Sequence, residues 1–112
     1  MELVAYFDAS GSPEDPGCHV LTVAGFMTSV EKWRDFDAEW SAMLATEQIT
    51  CLHMKEFAHS VGEFRSWKRD ETRRRGLMAG ASQIIGKHAM ETFSVAILLD
   101  DYRRACLFRR SR

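Results

Sequence analysis

Residues 3–7, Leu-Val-Ala-Tyr-Phe, are apolar at every position, and the run stops at Asp8. Both alternating sets, Leu3/Ala5/Phe7 and Val4/Tyr6, are apolar, which predicts a central strand covered on both faces. Residues 10–17 are dense in Ser, Gly and Pro and read as a loop. A second strand is expected over 19–27, where Val20, Thr22 and Val23 are β-branched; the spacing from Asp8 suits an antiparallel hairpin.

Thr28-Ser29-Val30-Glu31 reads as a capping box. The helix that follows places Trp33, Phe36, Trp40, Met43 and Leu44 on one stripe and is expected to end near Ala45 or Glu47. Residues 49–53 read as a short strand and 60–66 as a loop. A second helix, capped by Ser66, is expected over 67–88 with Leu77, Ala81, Ile84, Ile85 and His88 inward. Gly76 and Gly80 would let a neighbouring backbone approach it. Residues 92–99 alternate as a strand, and a last helix starts at Asp100 or Asp101. The order β-β-α-β(short)-α-β-(α) predicts one α/β domain over residues 1–112, a mixed sheet flanked by helices.

Length supports that count: 112 residues allow one ordinary domain, and 46% hydrophobic content excludes the disordered class. Net charge is −1, yet it hides a polarity. Residues 1–64 carry 3 basic and 11 acidic side chains, whereas 65–112 carry 12 basic and 5 acidic. A half-chain balance of −8 against +7 raises the prospect of an anionic partner. Three of the basic residues, Arg109, Arg110 and Arg112, lie in the last four positions. Cys18, Cys51 and Cys106 form no CxxC pair, and no apolar run is long enough for a bilayer. The expectation is a cytoplasmic chain with no membrane partner.

Chemistry is sought first at strand ends, where ligands of open α/β sheets gather. Asp8 closes the first strand and Asp100 the last. Side by side, those strands would bring hard oxygen ligands together for Mg²⁺ or Mn²⁺, which activate water in phosphodiester cleavage. The simpler reading makes Asp8 a turn former and Asp101 a helix cap. His53, Lys55 and Glu56 form a polar cluster able to hold a phosphate or orient water, or only a polar edge. Cys51, His53 and His59 match no strong zinc spacing. Lys68, Arg69 and Arg75, with Arg65 nearby, are candidates for tracking a phosphate backbone of RNA or DNA; a solvated helix face is the alternative.

Several segments together resemble a known family. They are Tyr6-Phe7-Asp8-Ala9-Ser10-Gly11, Leu21-Thr22-Val23-Ala24-Gly25-Phe26, and the helix carrying Glu31, Lys32, Trp33, Phe36 and Trp40. With them go His53-Met54-Lys55-Glu56-Phe57, Gly62-Glu63-Phe64 followed by Trp67, and Leu99-Asp100-Asp101-Tyr102-Arg103. This set is similar to domain-of-unknown-function family 3800, whose hallmark is a strand ending in Asp-Glu-Ser-Gly. The resemblance implies a ribonuclease-H-like fold and a metal-dependent nuclease, with Asp8 as a metal ligand and Asp100 as a second. Glu56, from the polar cluster read above, is the further catalytic candidate in such a nuclease. Ala9 stands where the common motif has an acid. The resemblance also implies that this chain covers the front part of the domain. An inactive remnant, or a non-catalytic nucleic-acid-binding or assembly module forming homo-oligomers through an open sheet edge, is the alternative.

Overall fold

The computed structural model describes residues 1–12 and 14–110, with side chains as far as Cys106. The side chains of Arg109, Arg110 and Arg112 lie outside the described residues. The elements run β1 (Leu3–Ser10), β2 (Val20–Ser29), α1 (Val30–Thr46), α2 (Met54–His59), a 3₁₀ segment (Gly62–Trp67), α3 (Glu71–His88), β3 (Glu91–Leu98) and α4 (Leu99–Arg110). This is a mixed α/β chain with a three-stranded antiparallel sheet and four α-helices among the described residues. It divides into two compact units, Met1–Ser29 with Met90–Arg112, and Val30–Ala89.

The first unit is the sheet with α4. Its strand order is β1-β2-β3, and both outer strands run antiparallel to β2. β1 is therefore an edge strand, not the central strand its apolar run predicts. Among the described residues its ladder pairs only with β2, and Tyr6 and Phe7 are 63% and 68% exposed. The pairing rows put Leu3, Ala5, Phe7, Met27, Val23, Leu21, Phe93, Val95 and Ile97 on one face. Val4, Tyr6, Asp8, Phe26, Val20, Ser94 and Leu98 share the other. β2 extends two residues further than expected, so Thr28 and Ser29 pair with Val4 and Leu3 where a cap was anticipated. The Leu99 amide donates to the His19 carbonyl at 2.9 Å, where β3 gives way to α4.

The second unit is helical. Its core is Ile49, Phe57, Phe64, Trp67 and Leu77, with Met43, Leu44, Leu52 and Met78 packed against it. The α1 stripe of Trp33, Phe36, Trp40, Met43 and Leu44 is half-buried as its periodicity predicts. Phe36 stacks on Trp40 at 5.2 Å. Residues 49–53 are not a strand: Ile49 enters the core, and the Thr50 amide donates to the Glu63 carboxylate at 2.9 Å rather than to a sheet. The second long helix begins later than expected. Asp70 caps it by accepting from the Arg73 amide at 3.0 Å, and Ser66 falls inside the 3₁₀ segment. Of its glycines, Gly80 faces Met43 Sδ, which a Cβ there would meet at 3.7 Å, while Gly76 faces open space. Glu39 on α1 joins the end of α3, bonding Lys87 Nζ at 2.6 Å and His88 Nε2.

Candidate functional site

A 3₁₀ helix turns every three residues, so positions i and i+3 eclipse. In Gly62–Trp67 that rule puts Phe64 and Trp67 together, and both are buried, at 0% and 1% exposure. Their rings meet edge to face at 5.2 Å, and Phe57 meets Phe64 at 5.3 Å. Arg65 and Lys68 follow one position later in the same rhythm and are exposed, as is Arg69. The aromatic anchors thus hold three cations on the outside of the segment.

The arginine run that follows is split by the helix period. Arg73 turns inward: its guanidinium lies 3.9 Å over the Trp67 ring and bonds the Glu47 carboxylate at 3.2 Å and the Glu47 carbonyl at 2.9 Å. Arg74 lies 4.3 Å over Phe57 and donates to Ser60 Oγ at 2.8 Å and the Phe57 carbonyl at 2.9 Å. Arg75 is exposed and stands 3.8 Å from Glu71. Arg65, Lys68 and Arg69 form no ion pair among the described residues. The result is a basic ridge over 65–69 with Arg75 on the helix that follows it.

Glu63 staples this ridge to the chain before it. The Thr50 amide and the Thr50 hydroxyl both donate to its carboxylate at 2.9 Å. Those bonds, the amide first, hold Glu63 below the ordinary glutamate range. A depressed carboxylate stabilises the fold above its unfolded pKa, and that contribution is lost as pH falls through the folded pKa. Glu63→Gln should therefore lower the melting temperature at neutral pH. The gap to the parent chain should close as pH drops below about 4.5. A gap that stays constant from pH 7 to pH 3 would contradict the staple.

The proposed metal-side acids stand elsewhere. Asp8 is exposed on β1 and accepts from the Ala9 amide at 2.8 Å. Asp100 lies in the first turn of α4, 3.5 Å from Arg103, and Asp101 lies 3.4 Å from Arg104. β2 separates their strands, and Asp8 shares its row with Ala24 and Ser94, four rows from Leu98. Strand spacing and rise put Asp8 and Leu98 roughly 16 Å apart at Cα. β1 and β3 are thus not neighbours, the arrangement expected to bring Asp8 and Asp100 together. No three His, Cys, Asp or Glu side chains among the described residues converge as a metal-ion site, Cys51, His53 and His59 included.

Glu56, His53 and Lys55 belong to the helical unit. His53 precedes α2 without a side-chain capping bond, and Lys55 is exposed. The Glu56 carboxylate covers Gly62, where φ is +60° and a Cβ would lie 2.8 Å from Oε2. That contact gives Glu56 a local packing role.

An open cavity of about 370 Å³ was not foreseen. Phe57, Glu71, Arg74, Arg75 and Met78 line it. The stripe at 71, 74, 75 and 78 has helical spacing and is legible in retrospect, but its floor, Phe57, comes from another helix. No helix of the described residues is long and apolar enough to cross a membrane. Comparison with protein-family models, with curated proteins and with solved structures finds no match to this chain.

Proposed function

We propose that this chain binds nucleic acid through its phosphates, with Arg65, Lys68 and Arg69 as the contacting ridge and Arg75 beside them. The observation that supports it is the sorting of cations: two arginines are used inside the fold, while these three have no acid partner among the described residues. Neighbouring phosphates attract such a ridge strongly at low salt. Because Phe64 and Trp67 anchor the segment, little backbone order has to be created on binding.

Fluorescence anisotropy with labelled RNA and DNA across a salt series tests this. Each phosphate neutralised contributes about 0.7–0.9 to the log–log salt slope. Replacing Arg65, Lys68 and Arg69 together by glutamine should flatten the slope by about 2–3. A parent slope near zero, or a slope the triple variant leaves unchanged, would overturn the reading.

A second reading, the ribonuclease-H-like nuclease, is favoured by Asp8, whose exposed carboxylate meets only the neighbouring amide among the described residues. Cleavage of the same labelled strands in Mg²⁺ or Mn²⁺, lost in Asp8→Ala, would support it. Cleavage that persists in Asp8→Ala would remove Asp8 from it.

A further inference from the structure

The cavity on α3 has a composition unlike the ridge. We infer that it takes one unpaired nucleobase, guanine by preference, from a single strand whose phosphates lie on the ridge; this rests on the nucleic-acid reading above.

Three features carry the inference. The volume of about 370 Å³ falls within the range of small-molecule pockets. Arg74 supplies a fixed flat surface. Its guanidinium is tied in plane to Ser60 and the Phe57 carbonyl and covered on one face by the Phe57 ring, and its side chain is only 15% exposed. Bases stack on guanidinium planes, and a plane already immobilised loses little freedom when it is used. Met78 adds an apolar wall.

Glu71 sets the preference. Its carboxylate lines the cavity, is 69% exposed, and meets Arg74 and Arg75 only at 3.9 and 3.8 Å, beyond good hydrogen-bond distance. A carboxylate only accepts, so it selects a base that presents donors. Guanine offers two adjacent N–H groups on its Watson–Crick edge, matching two carboxylate oxygens. Adenine and cytosine offer one amino group there, beside an acceptor. A simple anion is disfavoured, because Glu71 would repel it. Arg75 stands at the same cavity and can meet the phosphate of the inserted nucleotide.

The test uses the full chain and eight-nucleotide labelled single strands, one with guanines and one abasic at those positions. The parent protein should bind the guanine strand about tenfold more tightly, the size of a good bidentate base contact. In Glu71→Gln the preference should fall below threefold. The abasic strand should bind more tightly than before, because a negative charge beside Arg75 is gone. That opposite movement separates base recognition from a folding defect. Equal binding of the two strands would overturn the pocket and leave the ridge standing. If neither strand binds, the ridge reading fails. Guanosine monophosphate titrated against the methyl resonance of Met78 then decides the pocket: a saturable shift supports it, and no shift overturns it.

Discussion

Trp67→Ala is expected to remove about 3–5 kcal/mol from the stability of the Val30–Ala89 unit. Its ring is 1% exposed, meets Phe64 edge to face, and carries the Arg73 guanidinium on its face. Alanine would leave a large cavity in the middle of the core and strip Arg73 of its aromatic contact. Against the roughly 5–15 kcal/mol typical of a whole domain, the loss takes about a fifth of the margin or more. Urea unfolding followed by helical circular dichroism would show the midpoint fall. Arg69→Gln, one turn outside, should stay within about 0.5 kcal/mol of the parent. The two variants then dissociate fold from function: Arg69→Gln weakens polyanion binding in a folded chain, whereas Trp67→Ala weakens it by releasing the ridge. A loss under about 1 kcal/mol for Trp67→Ala would mean that the aromatic cluster does not anchor the segment.

Periodicity made some of this fold readable and misled elsewhere for identifiable reasons. The α1 stripe repeats over several turns, so local pattern and tertiary burial agree from Trp33 to Leu44. β1 is apolar on both faces, and the usual cause of that pattern is burial in the middle of a sheet. Here the same residues lie at an edge with Tyr6 and Phe7 exposed. The position of a strand within a sheet depends on partners distant in sequence. The start of α3 was missed for a different reason. Ser66 and Asp70 are both good capping residues, and a 3₁₀ segment of six residues is too short to announce its own period.

The site was legible in the same uneven way. Lys68, Arg69 and Arg75 stand out by charge, and all three are exposed. Charge alone did not separate them from Arg73 and Arg74, because that depends on what Trp67, Phe57 and Glu47 bring to the inner face. The acids expected to close strands do not: Asp8 lies within β1, which runs on to Ser10, and Asp100 lies in the first turn of α4. Their convergence also required β1 and β3 to be neighbours. The strand order puts β2 between them. No local feature of Asp8 or Asp100 encodes that order.

Gly25→Ala should detach β1 from the sheet. Gly25 lies in the central strand, in one row with Phe7 and Phe93. A Cβ there would sit 2.0 Å from the Tyr6 carbonyl oxygen and 2.7 Å from Phe7 Cα, both backbone atoms that cannot swing aside. The bare glycine also lets Phe7 and Phe93 face each other across it, edge to face at 6.2 Å. Two effects oppose each other. Alanine restricts the unfolded chain and by itself favours the folded state by roughly 0.5–1 kcal/mol. Forcing an extra methyl into a closed contact costs about 1–3 kcal/mol, occasionally more. With overlap on backbone rather than on a flexible side chain, the second effect wins and the β1–β2 register must open. Amide hydrogen exchange reads this residue by residue. Protection should fall along Leu3–Ser10, while α1 and α3 keep theirs, because the Val30–Ala89 unit has its own core. Unchanged or increased protection of β1 would show that the entropic gain outweighs the overlap, and that β1 does not lie this close to Gly25.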